Sequence, residues 1–440
     1  MTEQPVWYEE SLMNVRLPDI NSASTSRRTF WLATGVAGLT GIFGVFGVSV
    51  AGASAAGLHR PDGMTLSTVE TAVPGTAKDV PCDTSALVAE LTKANRTNGG
   101  VLNLATNCAY TWPEPGADAA QTSNSSFPVI EKPITILGNG STFAHGGELG
   151  FRILNVGAGG HLILKGFTIR GGDTSGPKPQ PCPSPIDPEP GSGDGAGILV
   201  QPGGTADIED SVITENESCG RGGGIANFGT TTLRDSVVSK NRAFVAGGGI
   251  YNAGELTIQG SRIENNTAKG TGKSGADGGG IANDGGGDAS ITSSQIAHNS
   301  ASNDGGGLHN DGNATLLLDY SKVAGNKAAR NGGGLFQGGA TATVRNSTFS
   351  LDIAGLFDSR TWNLHDRGFL GNHARQGGAI YNDTGATLAV SRSRIIGNLA
   401  STRAGAGGIH NNNGTVTLTN NTLVSLNPPR NCVDVPGCGY

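Results

Sequence analysis

Charged and aromatic residues are scarce in this sequence. Asp, Glu, Lys and Arg together make up 15% of its 440 residues, and Phe, Trp and Tyr make up 5%. The formal net charge is −6, and no run of Lys and Arg could neutralise the phosphates of a nucleic acid. These absences predict a chain with no nucleic-acid partner.

Patterns typical of metal sites and of polysaccharide cleavage are missing as well. The six cysteines are not spaced like zinc ligands. Asp-Gly-Gly-Gly runs lack the spacing of calcium-binding nonapeptide repeats, so they predict turns. Neither an Asp-Asp pair nor Gly-His-Gly occurs, so the polygalacturonase type of site does not match. We expect no metal and no cofactor.

Glycine, in contrast, is abundant, with 72 of 440 residues, and it recurs within a repeat between residues 195 and 427. Each copy reads approximately Gly-Gly-Gly-Ile-x-Asn and later Ser-x-Ile/Val-x-x-Asn. The first apolar residues, or anchors, are Ile198, Ile225, Ile250, Ile281, Leu308, Leu335, Ile380 and Ile409. Successive anchors are 25 to 31 residues apart, except for one interval of 45. A nearly fixed period of this size is typical of a solenoid.

Within each copy, apolar and polar residues alternate, as at Leu256, Thr257 and Ile258. This period of two indicates β-strands, and stacking of coils about 4.8 Å apart places each residue over its equivalent in the next coil. Buried Asn and Ser can then hydrogen bond from coil to coil. Two amide series and one serine series are placed to do so: Asn227, Asn252, Asn283, Asn310, Gln337, Asn382 and Asn411; Asn216, Asn241, Asn266, Asn299, Asn326 and Asn398; and Ser211, Ser236, Ser261, Ser294, Ser321, Ser347 and Ser393.

Two of the motifs resemble those of a known family. Residues 377–380 read Gly-Gly-Ala-Ile and residues 369–372 read Phe-Leu-Gly-Asn. They are similar to the Gly-Gly-Ala-Ile and Phe-x-x-Asn repeats of right-handed parallel β-helix proteins related to chlamydial polymorphic outer membrane proteins. The resemblance covers residues 195–427. It implies the fold but hardly an activity, because the same solenoid serves adhesins, autotransporter passengers and polysaccharide-cleaving enzymes.

We therefore predict an all-β chain, a right-handed parallel β-helix of about eleven coils, in one domain spanning residues 81–440. Residues 82–110 would form its cap, residues 128–427 its coils, and residues 428–440 a tail closed by cysteines. A short amphipathic helix at residues 83–95 is expected to block the open end of the solenoid.

The N-terminus resembles a twin-arginine export signal over residues 1–56. Arg27 and Arg28 precede a Gly-rich apolar stretch with small-residue cleavage sites near its end. Residues 57–80 would then be a linker. This pattern predicts a secreted or cell-surface protein exported by the twin-arginine route. The alternative is an uncleaved N-terminal segment that anchors the chain in the membrane.

The six cysteines of an exported chain are expected to form disulfides. Their order favours three bridges between sequence neighbours, although six cysteines allow many other pairings. The predicted pairs are Cys82 with Cys108, Cys182 with Cys219, and Cys432 with Cys438.

The residue immediately after each anchor would point outward if the anchors point inward. Several of these residues have flat side chains: Tyr251, His309, Phe336, Tyr381 and His410. Such side chains could stack on sugars or serve as interface anchors; alternatively, each ring covers its neighbours along the sheet. This stripe leads us to expect a monomeric, non-catalytic recognition or adhesion protein that binds a polysaccharide or another surface partner.

The long interval in the repeat contains a concentration of polar residues between residues 350 and 368. Candidates for an acid, a base or a charge partner are Asp352, Asp358, Arg360, His365, Asp366 and Arg367. Such a set would suit a polysaccharide lyase or a glycoside hydrolase, which is the alternative function. The other interpretation is a degenerate coil, since Asp352 lies five residues after Ser347, where the repeat expects an amide.

Overall fold

Parallel strands stacked coil upon coil form nearly all of the described structure. The computed structural model describes residues 77–112, 125–146, 150–174, 182, 193–270, 275–355 and 375–438. In these residues the strands form sheets of 12, 11, 7 and 10 members, here called sheet one, sheet two, the corner sheet and sheet three. A complete coil contributes one strand to each of them, and neighbouring strands run parallel.

The strands are short, and one α-helix, Thr84–Arg96, accompanies them in the described residues. Sheet one consists of Lys78–Val80, Gly100–Leu104, Pro133–Leu137, His161–Lys165, Thr205–Glu209, Thr230–Arg234, Glu255–Gln259, Asp288–Thr292, Thr315–Asp319, Thr341–Arg345, Thr387–Ser391 and Thr415–Thr419. Sheet two consists of Ala109–Trp112, Thr142–His145, Thr168–Arg170, Val212–Thr214, Val237–Ser239, Arg262–Glu264, Gln295–Ala297, Lys322–Ala324, Thr348–Ser350, Arg394–Ile396 and Leu423–Ser425. The corner sheet consists of Glu217–Ser218, Arg242–Ala243, Thr267–Ala268, Ser300–Ala301, Lys327–Ala328, Ile353–Ala354 and Leu399–Ala400. Sheet three consists of Leu154–Val156, Ile198–Val200, Ile225–Asn227, Ile250–Asn252, Ile281–Asn283, Leu308–Asn310, Leu335–Gln337, Ile380–Asn382, Ile409–Asn411 and Cys432–Val433.

Equivalent residues of successive coils lie directly over one another. In sheet three, Ile225 pairs with Ile250, and Ile250 pairs with Ile281. In sheet one, Leu256 and Ile258 are buried between exposed neighbours, which is the predicted alternation. The inward side chains of the sheets meet in one apolar core that follows the axis of the solenoid. The chain thus forms a right-handed parallel β-helix, and this prediction is confirmed.

The predicted amide and serine ladders run through this core. Asn266 shows the pattern: its Oδ1 accepts the backbone N–H of Asn241 at 2.9 Å, and its Nδ2 donates to Asn299 Oδ1 at 3.0 Å and to the carbonyl of Val238 at 2.9 Å. Ser261 Oγ likewise accepts the backbone N–H of Ser236 at 3.1 Å. At these ladder positions the buried side chains therefore find hydrogen-bond partners in neighbouring coils.

The amide ladder of sheet three contains one fault. Asn310 Nδ2 donates to Gln337 Oε1 at 2.9 Å, but Gln337 Nε2 turns to the carbonyl of Thr387 at 3.4 Å. Asn382 Oδ1, the next acceptor along the ladder, is buried and has no partner among the described residues. The additional methylene of Gln displaces its amide from the ladder, so the ladder is interrupted there.

The bends between sheet one and sheet two, and those after sheet two, place one residue in the left-handed conformation in coil after coil. Gly260 and Asn265 are residue types that tolerate this conformation. Tyr320 and Leu351, however, adopt φ values of 47° and 58° at the same positions. The stacking of the coils fixes the bend, and this outweighs the steric cost of about 1–2 kcal/mol for such a residue.

The helix covers the N-terminal end of the core, as predicted. Asp83 Oδ1 caps it by accepting the backbone N–H of Ser85 at 2.7 Å, and Leu87 and Leu91 are buried against the core. Lys78–Val80, however, was assigned to the linker, whereas it forms a strand that pairs with residues 102–104 of sheet one. Burial of Val80 accounts for this extension.

Three disulfides stabilise the solenoid, and their pairing is the predicted one. Cys82 is bonded to Cys108, Cys182 to Cys219, and Cys432 to Cys438. Among the described residues no cysteine is free. Disulfides of this kind are typical of proteins outside the reducing cytosol.

Replacing a ladder amide should cost far more than replacing its exposed neighbour. Asn266→Ala would leave the N–H groups of Asn241 without their acceptor, at about 1–3 kcal/mol for each unsatisfied group. We expect the free energy of unfolding to fall by on the order of 3 kcal/mol. Asn265→Gly is the control, because Asn265 is exposed at a φ of 57° that glycine adopts freely. Denaturant titration would contradict the ladder if both variants were equally stable.

Candidate functional site

A column of stacked rings lies on the outer face of sheet three. The rings of His309 and Phe336 are 4.9 Å apart, those of Phe336 and Tyr381 are 5.5 Å apart, and those of Tyr381 and His410 are 5.3 Å apart. Their planes are within 10° of parallel. Four of the five predicted stripe residues are therefore brought together, and we call them the ring column.

Tyr251, the fifth member of the predicted stripe, stands apart from the ring column. Ala282 occupies the intervening coil and carries no ring. Tyr251 instead packs beside Phe228 at 5.6 Å, and the Arg221 guanidinium lies 5.0 Å from its ring centre. Arg221 also forms an ion pair with buried Asp194 at 2.9 Å. This arrangement makes Tyr251 part of a separate aromatic and cationic cluster.

The rings of the column are not open platforms. His309, Phe336, Tyr381 and His410 are only 5–8% exposed, because each inner ring is covered on both faces by its neighbours. The interpretation in which the rings cover one another along the sheet therefore describes the inner members. So little ring surface is exposed that stacking on sugar faces has no platform here, and recognition at this face would fall to the polar residues beside the rings.

Carboxylates flank the ring column on one side. Asp284, Asp311 and Asp383 follow the column positions by two residues in their coils, so they point to the same outer face. All three are half-buried, and one oxygen of each accepts the next backbone N–H at 2.7–2.8 Å. Asn412 Nδ2 also donates to Asp383 at 2.8 Å. We call these three residues the acidic wall.

A second row of polar residues flanks the column on the opposite side. Asp277 Oδ1 accepts the backbone N–H of Asp304 at 2.9 Å, and Asp304 Oδ1 accepts that of Asn331 at 2.7 Å. Arg330 forms an ion pair with Asp304 at 3.2 Å. The sequence analysis assigned the Asp-Gly-Gly-Gly runs to turns and so missed this row. Its sequence signal is the polar residue that stands four positions before several anchors, including Leu308.

Burial and negative charge both shift pKa values on this face. Burial raises the pKa of Asp304 to about 6, although Arg330 opposes the shift. Burial, followed by the charges of Asp383 and Asp304, raises the pKa of Tyr381 to about 12. Together the two flanking rows and the ring column make up one strip of the outer face, which we call the ring groove.

Two buried nitrogen atoms of this face have no hydrogen-bond partner among the described residues. They are Nδ1 of His410, whose ring lies against Tyr381, and Nε of Arg330, whose guanidinium is paired with Asp304. Burial lowers the pKa of His410, so its imidazole is neutral at neutral pH. Unsatisfied buried polar atoms are rare in folded proteins, and they are typical of places where a ligand or water completes the hydrogen bonding.

Asp352, a candidate acid or base, lies inside the solenoid and not at a surface. It occupies the amide-ladder position between Asn326 and Asn398 and is completely buried. Its Oδ1 accepts two N–H groups of Asn326 at 2.9 and 3.0 Å. No substrate can reach it, so the catalytic candidate was wrong, and the observation that the repeat expects an amide there was the informative one.

The remaining candidates from the long interval are not among the described residues. They are Asp358, Arg360, His365, Asp366 and Arg367. Residues 350–354 belong to the regular coil, because Ile353–Ala354 is a strand of the corner sheet. The additional sequence of the long interval therefore follows residue 355.

No group of three or more His, Cys, Asp or Glu side chains in the described residues is placed to hold a metal ion. The described part of the chain likewise has no helix that is both long enough and apolar enough to cross a membrane.

Comparison with known proteins agrees with the architecture. A family model described as a right-handed beta helix region matches residues 191–349. The chain is a parallel β-helix repeat protein. No curated protein matches this β-helix sequence.

Several solved structures are similar to this β-helix at low sequence identity. PfbA, a surface adhesin of Streptococcus pneumoniae, is 12% identical, with 80% of this chain and 92% of that chain covered and a TM-score of 0.37. The A-module of the Azotobacter vinelandii mannuronan C-5 epimerase AlgE6 is 14% identical, with 80% and 94% covered and a TM-score of 0.36. The Dettilon tailspike protein is 12% identical, with 76% and 64% covered and a TM-score of 0.30. No activity or ligand carries over at this level of similarity.

The buried carboxyl of Asp352 makes a prediction about pH. Its second oxygen stands where other ladder residues have an N–H donor, it has no partner among the described residues, and burial raises the pKa of this carboxyl to about 8. The folded state therefore retains a proton that the unfolded chain loses near its ordinary pKa of 3.8. Stability contributed by this group is complete below pH 4 and is lost as the pH rises towards 8.

Asp352→Asn should remove this loss. We expect the variant to exceed the original protein in unfolding free energy by on the order of 3 kcal/mol at pH 7, and by much less at pH 4. Denaturant titrations over this pH range measure the difference. Asn326→Asp is the reciprocal variant and should introduce a similar pH-dependent loss. A gain in Asp352→Asn that did not change with pH would rule out a neutral buried acid.

Proposed function

We propose that this chain is an exported, non-catalytic recognition protein that binds glycans in the ring groove. The observation that carries the proposal is the ring column, whose edges and polar atoms lie between two rows of hydrogen-bonding side chains on one face of a rigid sheet. A hydroxyl-rich polymer suits such a site, because its hydroxyl groups can form hydrogen bonds with carboxylates, amides and ring nitrogens along its whole length.

The polar groups of the column support the same proposal. Tyr381 has its hydroxyl near Asn412 and Asp383, which adds a donor and acceptor between them. A site built on strands in register is also preorganised, so little conformational entropy is lost when a ligand binds.

Two features of the chain support the cellular setting that we propose. Three disulfides suit a protein that works outside the cytosol, and Arg27 and Arg28 suit export by the twin-arginine route. A link to the chlamydial polymorphic outer membrane proteins is part of this proposal and rests on the two sequence motifs. We further propose that the protein is a monomer, that no nucleic acid binds to it, and that any membrane contact is made by its N-terminal segment.

A polysaccharide lyase or glycoside hydrolase is the second candidate. It is favoured by Asp304 in the second polar row beside the ring column, because burial raises the pKa of this carboxyl to about 6. General acids and bases work best when their pKa lies near the ambient pH. A reducing-end assay on several polysaccharides, with Asp304→Asn as the variant, tests it. Activity that Asp304→Asn abolishes would replace the recognition proposal by an enzymatic one.

Binding to insoluble polysaccharides should depend on the ring groove. Tyr381→Phe removes one hydroxyl from the column but retains the ring, so we expect about a three- to tenfold loss of retention and an unchanged fold. Tyr320→Phe is the matched control, because Tyr320 is 68% exposed and lies in a bend outside the groove. Co-sedimentation measures both. Equal retention of the two variants would remove the ring groove from consideration.

Export should depend on the arginine pair. Replacing Arg27 and Arg28 by Lys retains the charge but not the recognition signal, so the precursor should accumulate in the cytoplasm. Immunoblots of cytoplasmic and exported fractions measure the distribution. Undiminished secretion of the double variant would count against this route.

A further inference from the structure

An apolar ridge lies at the surface where sheet two turns into the corner sheet in the last coils. We call it the leucine ridge, and its members are Leu351, Ile353, Ile396, Leu399 and Leu426. Leu351 is 67% exposed and Leu426 is 76% exposed, and the other three are half-buried. Ile353 pairs with Leu399 in the next coil. Leu351 leans over the next coil as well, since a Cβ at Gly397 would lie 4.0 Å from its Cδ2.

The preceding coils carry mostly polar residues at the same register positions. In the corner sheet, the residues stacked before Ile353 are Glu217, Arg242, Thr267, Ser300 and Lys327. In the bend after sheet two, the residues before Leu351 are Glu215, Lys240, Asn265, His298 and Gly325. The last coils therefore replace polar side chains by apolar ones at a surface. Contiguous exposed apolar residues mark interaction sites in soluble proteins.

Two leucines of the ridge occupy backbone positions that disfavour them. The φ angle is 58° at Leu351 and 57° at Leu426, a region that Gly and Asn adopt more easily. The stacked coils fix these bends, but they do not require leucine there. Both side chains are largely exposed, so packing within the described chain does not offset the steric cost. A residue type that local structure disfavours is typical of a functional position.

Basic side chains surround the leucine ridge. The exposed members of this basic rim are Lys327, Arg394, Arg403 and Arg430. Lys327 pairs in register with Ile353, and Arg394 begins the strand that contains Ile396. None of the four forms an ion pair among the described residues. The rim is therefore free to meet a negatively charged partner.

The equivalent cations of earlier coils are balanced by acidic neighbours. Arg242, in register with Lys327 through the intervening coils, lies 3.5 Å from Glu217. Arg262, in register with Arg394, lies 3.8 Å from Glu264. Unbalanced positive charge is thus particular to the last coils, although the whole chain has a formal net charge of −6.

Acidic residues are scarce around the ridge. No Glu follows Glu264 in the sequence, and the acidic residues that the structure describes between 320 and 438 are Asp352, Asp383 and Asp434. Asp352 is completely buried in the ladder. Asp383 belongs to the acidic wall, and Asp434 directly follows the last strand of sheet three. None of the three lies on the leucine ridge.

We infer that the leucine ridge and its basic rim bind the surface of an anionic lipid bilayer, with Leu351 and Leu426 at the boundary of headgroups and acyl chains and the rim on lipid phosphates. Charge complementarity decides the partner, because exposed leucines within a ring of Lys and Arg match an apolar layer beneath negative headgroups. This inference goes beyond the proposed function, in which membrane contact is confined to the N-terminal segment. The ring groove lies on sheet three, so glycan and bilayer would use different faces.

The test uses the chain from residue 57, which lacks the N-terminal apolar stretch but retains every described strand and the capping helix. Co-sedimentation is measured with vesicles of equal parts phosphatidylglycerol and phosphatidylcholine, and with vesicles of phosphatidylcholine alone. We expect about tenfold stronger binding to the anionic vesicles at low salt, and weaker binding at high salt because of screening. No binding to the anionic vesicles, with an intact fold by circular dichroism, would overturn the inference.

The apolar contact is tested by Leu351→Asn with Leu426→Asn. Asn tolerates the left-handed backbone better than Leu, so the double variant should fold at least as well as the original protein. We expect it to bind the anionic vesicles about tenfold more weakly. Tyr320→Asn is the matched control, because Tyr320 is 68% exposed at a φ of 47° in the bend at the other edge of sheet two. Equal losses in the two variants would contradict a role for the ridge.

The basic rim is tested by Lys327→Gln with Arg394→Gln, for which we also expect about tenfold weaker binding. Arg242→Gln with Arg262→Gln makes the same change of charge at equivalent positions of earlier coils and should leave binding nearly unchanged. If both double variants lose binding equally, net charge and not the rim is responsible, and the inference is wrong.

Three further outcomes would assign the ridge to another occupant and overturn the inference. The first is a dimer, detected by sedimentation velocity, that the double leucine variant dissociates. The second is vesicle binding that appears only when residues 356–374, which follow Gly355 beside the ridge, are deleted. The third is binding of soluble dextran sulfate as strong as that of vesicles and unaffected by the leucine variant. Each of them leaves the glycan-binding proposal intact, because that proposal depends on the ring groove.

Discussion

The structure depends on one constraint: the buried polar side chains of the ladders need hydrogen-bond partners, and they find most of them in the coil before or after their own. Because successive coils are stacked in register, a residue type that suits one coil suits the next, and Asn satisfies this condition with both a donor and an acceptor. At Asn266 the amide oxygen accepts a hydrogen bond from the preceding coil, and the amide nitrogen donates to both the preceding and the following coil. The repeat in the sequence is the direct consequence of this condition.

The two places where the ladder departs from Asn show how strict the condition is. Gln337 is too long to continue the sheet-three ladder, so Asn382 Oδ1 is left without a partner among the described residues. Asp352 has the right length but lacks a donor when ionised, so the ladder holds its carboxyl in the neutral form. A change of one methylene or one proton therefore alters the hydrogen bonds of neighbouring coils, because the close-packed interior cannot rearrange around it.

The same register that builds the core also builds the outer face. Rings that follow the anchors stack into a column, and the residues two positions further on align as the acidic wall. Side chains placed by strands are held more precisely than those placed by loops, which suits recognition of an extended polymer. Since the floor is already filled with rings, specificity at this face lies with the charges and polar atoms along its edges.

The sequence by itself determined the period, the strands, the three ladders and the alignment of the stripe, because each follows from local alternation and from stacking of identical residues. Only the tertiary structure decided how much of each ring is exposed, that Ala282 separates Tyr251 from the column, and that Asp304 and Arg330 stand beside it. Burial and unsatisfied atoms depend on what neighbouring coils place around a side chain, and distances between coils are not encoded in any single repeat. For the same reason Asp352 looked like a catalytic candidate in the sequence and is a ladder residue in the fold.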